Sequence, residues 1–212
     1  MIRAQQVLPS RTRILDAALQ VIRTKGYEAT TIDDLCTAAG LSKGSFFHHF
    51  TSKEDLALAA AAHFTAMADR LVAAAAFRLL PDPLERVLGY VAFRKQILRG
   101  ELPDYTCLLG TLVQEAFATH PAIRDACNAH ISAHADGVAA DIQAAIDRHA
   151  PQATWTATSL ALHTQAVIQG AFVLAKARNG PAIAADSLDH LHRYIVLLFA
   201  NAAAAAVHPP HP

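Results

Sequence analysis

The stretch TIDDLCTAAGLSKGSFFHHF, residues 31–50, decides how this chain folds. It is typical of two short helices joined by a three-residue turn, Gly40-Leu41-Ser42. Gly40 gives the backbone the freedom for a sharp turn, Leu41 fills the angle between the helices, and Ser42 caps the second helix. Two helices joined in this way form a helix-turn-helix.

Another helix precedes this pair and completes a three-helix unit. Apolar residues recur at helical spacing from Ile14 to Ile22, which gives this first helix one face to bury. Ser10 is its predicted N-cap and Gly26 its predicted stop. Thr31, followed by an aspartate three residues later, predicts a capping box at the start of the next helix.

The rest of the chain is also predicted to be helical. Alanine is abundant, valine and isoleucine runs are sparse, and no segment alternates apolar with polar residues, which indicates an all-α protein. Proline, glycine and capping residues divide the chain into nine predicted helices. They lie at about 11–25, 32–39, 43–49, 53–77, 84–99, 104–118, 121–149, 154–178 and 187–203.

Composition excludes several classes of protein. With 53% hydrophobic and 17% charged residues among 212, the chain has enough apolar surface to fold, which excludes a disordered chain. The most apolar stretch, Val196–Val207, has about half of the roughly 20 residues that a membrane-spanning helix needs, so we expect no membrane span. The N-terminus has charge but no apolar core after it, so no signal peptide is expected. Three cysteines favour a reducing compartment over a disulfide framework.

Charge is spread unevenly although the chain is neutral overall. Residues 1–53 carry seven basic and four acidic side chains, a net charge of +3, and the remainder carries −3. A basic N-terminal segment followed by an acidic remainder is a weak indication that the N-terminal segment binds a polyanion. In that segment, Ser42 would leave the amide-rich start of the second short helix free to face phosphate, and Gly44 would allow a close backbone approach.

These residues resemble the DNA-binding signature of the TetR/AcrR family of bacterial regulators. The resemblance extends over about residues 11–56, and the matching segments are TTI (30–32), AAGLSKGSFFHHF (38–50) and SKEDL (52–56). It implies a DNA-binding helix-turn-helix domain over 1–53 and a ligand-binding and dimerisation domain over 54–206. We expect a disordered tail over 207–212, because proline forbids regular pairing.

The resemblance also implies which side chains contact DNA. Lys43 and Ser45 would read bases in the major groove, where lysine suits the acceptors of guanine. Phe47 stands where the family often has tyrosine, so it would meet a thymine methyl group or a sugar instead of donating a hydroxyl. Phe46 and Phe50 are expected to pack inward; the alternative is that all the aromatic residues form core and Lys43 is merely solvated. The expected DNA-contact residues are Thr30, Thr31, Ser42, Lys43, Gly44, Ser45, Phe47, His48, His49 and Lys53.

The last two predicted helices favour a homodimer. The helix at 154–178 has no charged residue before Lys176, and Gly170 permits another helix to approach closely. The helix at 187–203 offers a second apolar stripe that includes Leu191, Tyr194 and Phe199. The resemblance agrees, since this helix pair usually packs on its two-fold mate; a large monomeric core is the alternative.

The predicted helices between residues 53 and 178 would enclose a small-molecule pocket with an apolar wall and a few polar groups. Ordinary core packing is the alternative for each residue. His163, in a helix nearly free of charge, is the best polar candidate. The candidate pocket residues are Phe64, Met67, Leu71, Tyr90, Phe93, Arg94, Ile97, Tyr105, Cys107, Leu108, Leu112, Phe117, His134, His163 and Gln165.

Two features involving cysteine raise other possibilities. Cys107 lies near the start of the predicted helix at 104–118, where a helix N-terminus stabilises thiolate. Its segment resembles one in a subset of the family, some members of which sense electrophiles or oxidants; a buried, inert cysteine is the alternative. Cys127, His130 and His134 share one helix face at metal-ligand spacing, but no fourth ligand is evident and we predict no metal site.

The sequence therefore predicts a ligand-responsive repressor in the cytoplasm that binds a palindromic operator as a homodimer and is released by a small molecule. A thiol-based redox or electrophile sensor acting through Cys107 is the alternative. A helical enzyme that uses a cavity in the predicted domain 54–206 is a distant one. The sequence has no nucleophile elbow, dinucleotide fingerprint, Walker loop or zinc-protease motif, so we predict no enzyme activity and no cofactor.

Overall fold

A computed structural model describes the backbone of residues 8–207 and the side chains of residues 8–202. All regular structure in this part of the chain is helical, which confirms the predicted all-α class. The elements are α1 (Ser10–Lys25), α2 (Ile32–Ala39), α3 (Lys43–His49), α4 (Lys53–Ala73), a 3-10 turn (Ala76–Leu79), α5 (Pro83–Gln96), α6 (Leu102–Tyr105), α7 (Leu108–Ala116), α8 (Pro121–His149), α9 (Ala157–Arg178) and α10 (Ala182–Val207). Of the tail predicted to be disordered, Val207 ends α10 and residues 208–212 lie outside the described residues.

Two short helices, α6 and α7, replace the single helix predicted at 104–118. The helix breaks because the carbonyl of Thr106 accepts a buried hydrogen bond from the Arg23 guanidinium (3.0 Å), outside the helical ladder. Cys107 then has the extended backbone of an N-cap, with φ −86° and ψ 123°, and the ladder restarts at Leu108. The described part therefore has ten α-helices where nine were predicted.

The capping signals were mostly correct. Thr31 and Asp34 form the predicted capping box, and Gly26 follows the end of α1. The prediction that Ser10 is an N-cap was wrong: Ser10 is the first residue of α1, Pro9 occupies the cap position, and the Ser10 hydroxyl is hydrogen-bonded to His49 instead.

The chain divides into two compact units, which are described separately. The first contains Met1–Ala68 with Thr106–His130, and the second contains Asp69–Tyr105 with Ile131–Pro212. The first unit is larger than the predicted domain 1–53, although the boundary of DNA-binding function at residue 53 stays a prediction.

The core of the first unit is built from the inner faces of its short helices. Phe46 and Phe50 are buried, as predicted, and their ring centroids lie 5.7 Å apart. Ile14, Leu35 and Leu56 are fully buried and come from α1, α2 and α4. Burying side chains of this size is the main favourable term in folding the unit.

Residues 106–130 are held to the loop that joins α1 to α2. The backbone amide of Glu28 donates to the Glu115 carboxylate (2.9 Å). The Tyr27 ring packs edge-on against His120, with the centroids 5.3 Å apart. These contacts explain why the segment after α6 belongs to the first unit.

In the second unit, α10 packs against α9 and α5. Its core includes Val91, Ile142, Ile168, Leu191 and Ile195, each buried on an inward helix face. The predicted stripe of the last helix is therefore divided: Leu191 and Phe199 point into the core, whereas Tyr194 is exposed.

By length and composition, α4 is the one helix in the described part of the chain that could cross a bilayer. A single such helix is weak evidence for a membrane protein, since core helices pass the same test. It begins with Lys53, Glu54 and Asp55 and buries Leu56 and Ala57 in the first unit.

Gly26 allows a direct test of the loop between α1 and α2. Its φ of 90° and ψ of 162° lie in a region open essentially only to glycine, and an added Cβ would collide with the Glu115 carboxylate. We expect Gly26→Ala to lower the free energy of unfolding by about 1–3 kcal/mol, measured by thermal and urea melts. The matched control is Gly137→Ala, where a Cβ meets nothing within 4 Å, and a helical alanine should stabilise by up to about 1 kcal/mol. Equal effects from both substitutions would contradict this account.

Candidate functional site

The helix α3 presents most of the residues that the sequence predicted to contact DNA. Phe46 occupies its inward face, so the opposite face points to solvent. Phe47 is 55% exposed, which is unusual for a large apolar side chain. Thr31, Ser42, Lys43, Gly44 and His48 are also exposed, Ser45, His49 and Lys53 are half-buried, and Thr30 is buried.

The turn before α3 is fixed by hydrogen bonds. Gly40 is left-handed, with φ 62° and ψ 42°, and the amide of Leu41 donates to the carbonyl of Cys36 (2.9 Å). Arg13 of α1 donates to the carbonyls of Ala39 (2.6 Å) and Gly40 (3.1 Å). The Ser42 hydroxyl accepts from the amide of Ser45, as expected of an N-cap. The direction of α3 is thus set from both sides of the turn.

Lys43, the expected base-reading residue, has an acidic neighbour. Its Nζ lies 2.8 Å from Oδ1 of Asp33, and both side chains are well exposed. The hydrogen bond and the charge of Asp33 raise the pKa of Lys43, so the ammonium stays charged. An exposed pair of this kind is weak, so little free energy is lost when Lys43 leaves Asp33.

Two expected DNA-contact residues are engaged inside the protein. The Thr30 hydroxyl donates to the carbonyl of Gly26, and the side chain is buried. The Lys53 ammonium donates to the carbonyls of Tyr27 (3.0 Å), Glu28 (3.4 Å) and Thr30 (3.2 Å). It also lies 4.4 Å from the centre of the Tyr27 ring. These contacts hold the loop between α1 and α2 and leave little of either side chain for phosphate.

The capping box beside this loop is also charged. Asp34 accepts from Lys25 (2.7 Å) and from the amide of Thr31 (2.8 Å). These hydrogen bonds hold the pKa of the Asp34 carboxyl well below its usual range. The start of α2, where Thr31 is exposed, is therefore kept in one conformation.

The second unit contains a cavity of about 220 Å³. Its apolar wall includes Val72, Phe77, Val87 and Val138, and Tyr90 and His134 add polar groups. The Asp141 carboxylate at this cavity binds both Arg78 (2.6 Å) and Arg86 (2.8 Å). The complete lining is Asp69, Val72, Ala73, Phe77, Arg78, Val87, Tyr90, Ala133, His134, Gly137, Val138 and Asp141.

Most of the predicted pocket residues do not line this cavity. Phe64, Met67, Cys107, Leu108, Leu112 and Phe117 belong to the first unit. Leu71, Tyr90, Phe93, Arg94, Ile97, Tyr105, His134, His163 and Gln165 belong to the second unit, and of these only Tyr90 and His134 line the cavity. His163 lies on the surface, with its ring centroid 5.2 Å from that of Tyr194.

The cysteines lie in different surroundings. Cys107 is half-buried and stands at the N-cap of α7. Cys36 and Cys127 are buried, and burial raises the pKa of the Cys127 thiol to about 12. No group of three metal-ligating side chains occurs among the described residues, and His134, one of the three residues with metal-ligand spacing, is hydrogen-bonded to Tyr90.

Sequence reasoning missed three residues that position the site, namely Asp33, Arg13 and Glu115. Each contacts a residue that is distant in sequence or separated from it by a turn. No periodicity or capping signal marks such pairs. Only the packing angle of the helices brings them together.

The comparisons with known proteins agree with this fold. Residues 14–60 match the sequence model of bacterial regulatory proteins of the tetR family. Residues 83–191 match the model described as tetracyclin repressor-like, C-terminal domain. Together, the helix-turn-helix and the helical second unit define a bacterial regulatory protein. The chain belongs to the TetR family.

Relatives and solved structures add detail. The chain is 46% identical over 46 residues to the HTH-type transcriptional repressor KstR2 of Rhodococcus jostii, covering 22% of each chain. It is 28% identical over 107 residues to the repressor DhaR of Mycobacterium sp., covering 50% of this chain and 52% of that one. The matches thus span from about a fifth to a half of the curated relatives.

Among solved structures, the regulatory protein TetR from Rhodobacter sphaeroides shares the fold, with a TM-score of 0.78, 24% identity, and coverage of 87% of this chain and 98% of that one. A TetR transcriptional regulator from Chloroflexus aurantiacus gives a TM-score of 0.77 at 26% identity, covering 88% and 94% of the two chains.

The role of Lys53 can be tested without DNA. We expect Lys53→Met to lower the free energy of unfolding by about 1–2 kcal/mol, because carbonyls that now bind an ammonium would lose their donor. Lys43→Met, which removes only an exposed ion pair, is the control and should change stability little. Urea titration followed by circular dichroism measures both. If Lys53→Met left stability unchanged but weakened binding to every duplex, Lys53 would be a phosphate contact after all.

Proposed function

We propose that this chain is a DNA-binding transcriptional regulator that acts as a ligand-responsive repressor on a palindromic operator. The observation that carries the proposal is the exposed face of α3, which holds Lys43, Gly44, Phe47 and His48 at a fixed angle. Membership of the TetR family supports it. The family relatives with printed functions are transcriptional regulators or repressors, so we propose no enzyme activity and a place in the cytoplasm, where bacterial DNA lies.

Within this surface, exposure and chemistry suggest a division of roles. Lys43 and Ser45 would contact base edges in the major groove. Thr31, Ser42, Gly44, His48 and His49 would contact phosphate or sugar, and such contacts position the protein without reading sequence. Phe47 offers an apolar edge for a thymine methyl group. Thr30 and Lys53 would act indirectly, by holding the loop before α2.

DNA binding is tested by fluorescence anisotropy with an operator that the purified chain selects from a random duplex pool. We expect a clear preference over random duplex and an affinity that falls steeply with salt, as ions are released from the phosphates. Lys43→Gln should reduce the preference about tenfold or more, because it removes a base contact. Asp33→Asn should tighten binding to all duplexes a few-fold, because it frees Lys43 and removes a negative charge.

Asp125→Asn is the matched control, since it makes the same charge change at an exposed residue of α8 that pairs with Arg124. It should leave both affinities unchanged. If the wild-type chain selected no sequence over random duplex, the proposed function would be abandoned. Equal effects of Asp33→Asn and Asp125→Asn would remove Asp33 from the account.

A homodimer is proposed from the exposed apolar face of α9 and α10. On α9, Leu162, Gly170 and Val173 share one face, and a Cβ at Gly170 would meet nothing within 4 Å. On α10, Leu197 is 60% exposed and Tyr194 is 45% exposed. An apolar face of this extent on a soluble regulator calls for a partner. A second copy would also supply the second half-site contact that a palindrome requires.

The dimer has its own test. Leu197→Glu should convert the dimer to a monomer at micromolar concentration, because it places a charge in the proposed apolar interface. Leu79→Glu is the control, as Leu79 is 86% exposed but lies on the 3-10 turn outside this face. Sedimentation velocity measures both variants. A wild-type monomer, or a dimer that survives Leu197→Glu, would count against this interface.

Ligand response would work by population shift. A ligand that binds one shape of the protein more tightly than the other changes the fraction able to hold the operator, and only its differential affinity counts. The cavity at Tyr90 and His134 is the proposed place for such a ligand. We do not propose a thiol sensor at Cys107, because its place at the N-cap of α7 is the one observation in favour of that role.

A further inference from the structure

The ring of Phe172 on α9 has two polar side chains of the second unit as neighbours. Phe172 is buried, and the ring of Tyr105 lies against it with the centroids 6.4 Å apart. The guanidinium of Arg94, on α5, lies 5.8 Å from the centre of the same ring. Two side chains capable of binding an anion are therefore neighbours of the same aromatic ring.

The Tyr105 hydroxyl is an exception in this protein. Among the described residues it is the one buried side-chain oxygen or nitrogen without a hydrogen-bond partner. The side chain is only 7% exposed. Buried polar groups in folded proteins are almost always paired, and the exceptions call for an explanation. A ligand that accepts a hydrogen bond from the phenol would supply one.

Arg94 differs from the other arginines near the cavity. Arg78 and Arg86 both form ion pairs with Asp141. In the part of the chain that the structure describes, no carboxylate lies within 4.0 Å of the half-buried Arg94. A guanidinium never loses its proton in a protein, so its charge must be balanced by an anion or by water.

A third donor belongs to His134. The Tyr90 oxygen accepts from the Gln165 amide (3.3 Å) and lies 2.8 Å from Nε2 of His134. In the tautomer in which the Tyr90 hydroxyl donates to Nε2, neutral His134 carries its proton on Nδ1, for which no acceptor is found among the described residues. Burial and the charge of Arg94 lower the pKa of His134, against the opposing effect of Asp69.

These donors connect to the cavity through α5. Tyr90 lines the cavity, and Arg94 follows it by one helical turn on the same helix face. The cavity of about 220 Å³ is walled by Val72, Phe77 and Val138, so it suits a small apolar group. Asp69 and Asp141 also line the cavity, beside Arg78, so the cavity suits the apolar body of a ligand and not its anionic group.

We propose that this region binds a small organic monocarboxylate, whose carboxylate pairs with Arg94 and accepts from the Tyr105 hydroxyl and His134 Nδ1, and whose apolar body fills the cavity. The proposal deepens the proposed function, on which it rests, by naming the chemical class of the effector. A single guanidinium balances the charge of a monocarboxylate but only half the charge of a phosphate dianion.

The test uses the full-length chain and isothermal titration calorimetry with matched acid and amide probes: benzoate and benzamide, phenylacetate and phenylacetamide, hexanoate and hexanamide. At least one acid should bind about tenfold or more tightly than its amide, because only the acid pairs with Arg94. Arg94→Gln should abolish that preference. Arg99→Gln, the same change at an exposed neighbour, should keep it.

Tyr105→Phe separates binding from packing. If the hydroxyl serves only the fold, its removal leaves acid affinity unchanged. We expect the melting temperature to stay the same or rise, because an unpaired buried hydroxyl is lost, while acid affinity falls several-fold. Amides that bind as well as acids, no binding of any acid at millimolar concentration, or equal losses in Arg94→Gln and Arg99→Gln would each overturn the proposal.

Operator binding is measured in parallel by anisotropy. Arg94→Gln without acid should bind the operator as the wild type does, since no part of α3 is changed. Operator binding without any preference for acids would refute the carboxylate site and leave the proposed function intact. An acid preference that depends on Arg94, without operator binding, would support the site and refute the proposed function.

Discussion

The left-handed backbone of Gly40 is the constraint on which the proposed DNA-binding surface depends. A residue with a Cβ adopts that conformation only with strain, and here it sets the direction in which α3 leaves α2. Phe46 and Phe50 then bury one side of α3, which leaves Lys43 and Phe47 on the other. A helix this short is not stable alone, so its orientation comes from the buried aromatic face and from Arg13.

The two lysines near this surface show how environment decides the use of a residue. Lys43 and Lys53 have the same side chain and lie ten positions apart. One is exposed and forms a weak ion pair with Asp33. The other is surrounded by three carbonyls and the Tyr27 ring, where its charge holds a loop together. A difference in solvation, rather than in chemistry, separates the lysine proposed to contact DNA from the lysine that supports the loop.

In the second unit, hydrogen-bond and ion-pair partners distinguish the polar groups that complete the fold from those that are proposed to bind a ligand. Asp141 is satisfied by two arginines, and Asp82 caps α5 while accepting from His149. These groups complete the fold and need no ligand. Arg94 and the Tyr105 hydroxyl are left incomplete beside the same buried ring. Since folded proteins rarely leave such groups unpaired, the two together carry more weight than either would alone.

The sequence by itself determined the helical class, the capping box at Thr31, the turn at Gly40 and the inward position of Phe46, because each depends on residues within one or two turns of chain. It identified Tyr105 and Arg94 as candidates but could not show that both face Phe172. Only the tertiary structure decided that Lys53 is engaged, that Asp33 pairs with Lys43, and that the helix predicted at 104–118 breaks where Arg23 takes the carbonyl of Thr106. The physical reason is distance along the chain: hydrogen bonds and ion pairs between remote residues leave no periodic trace, and they exist only once the helices have packed.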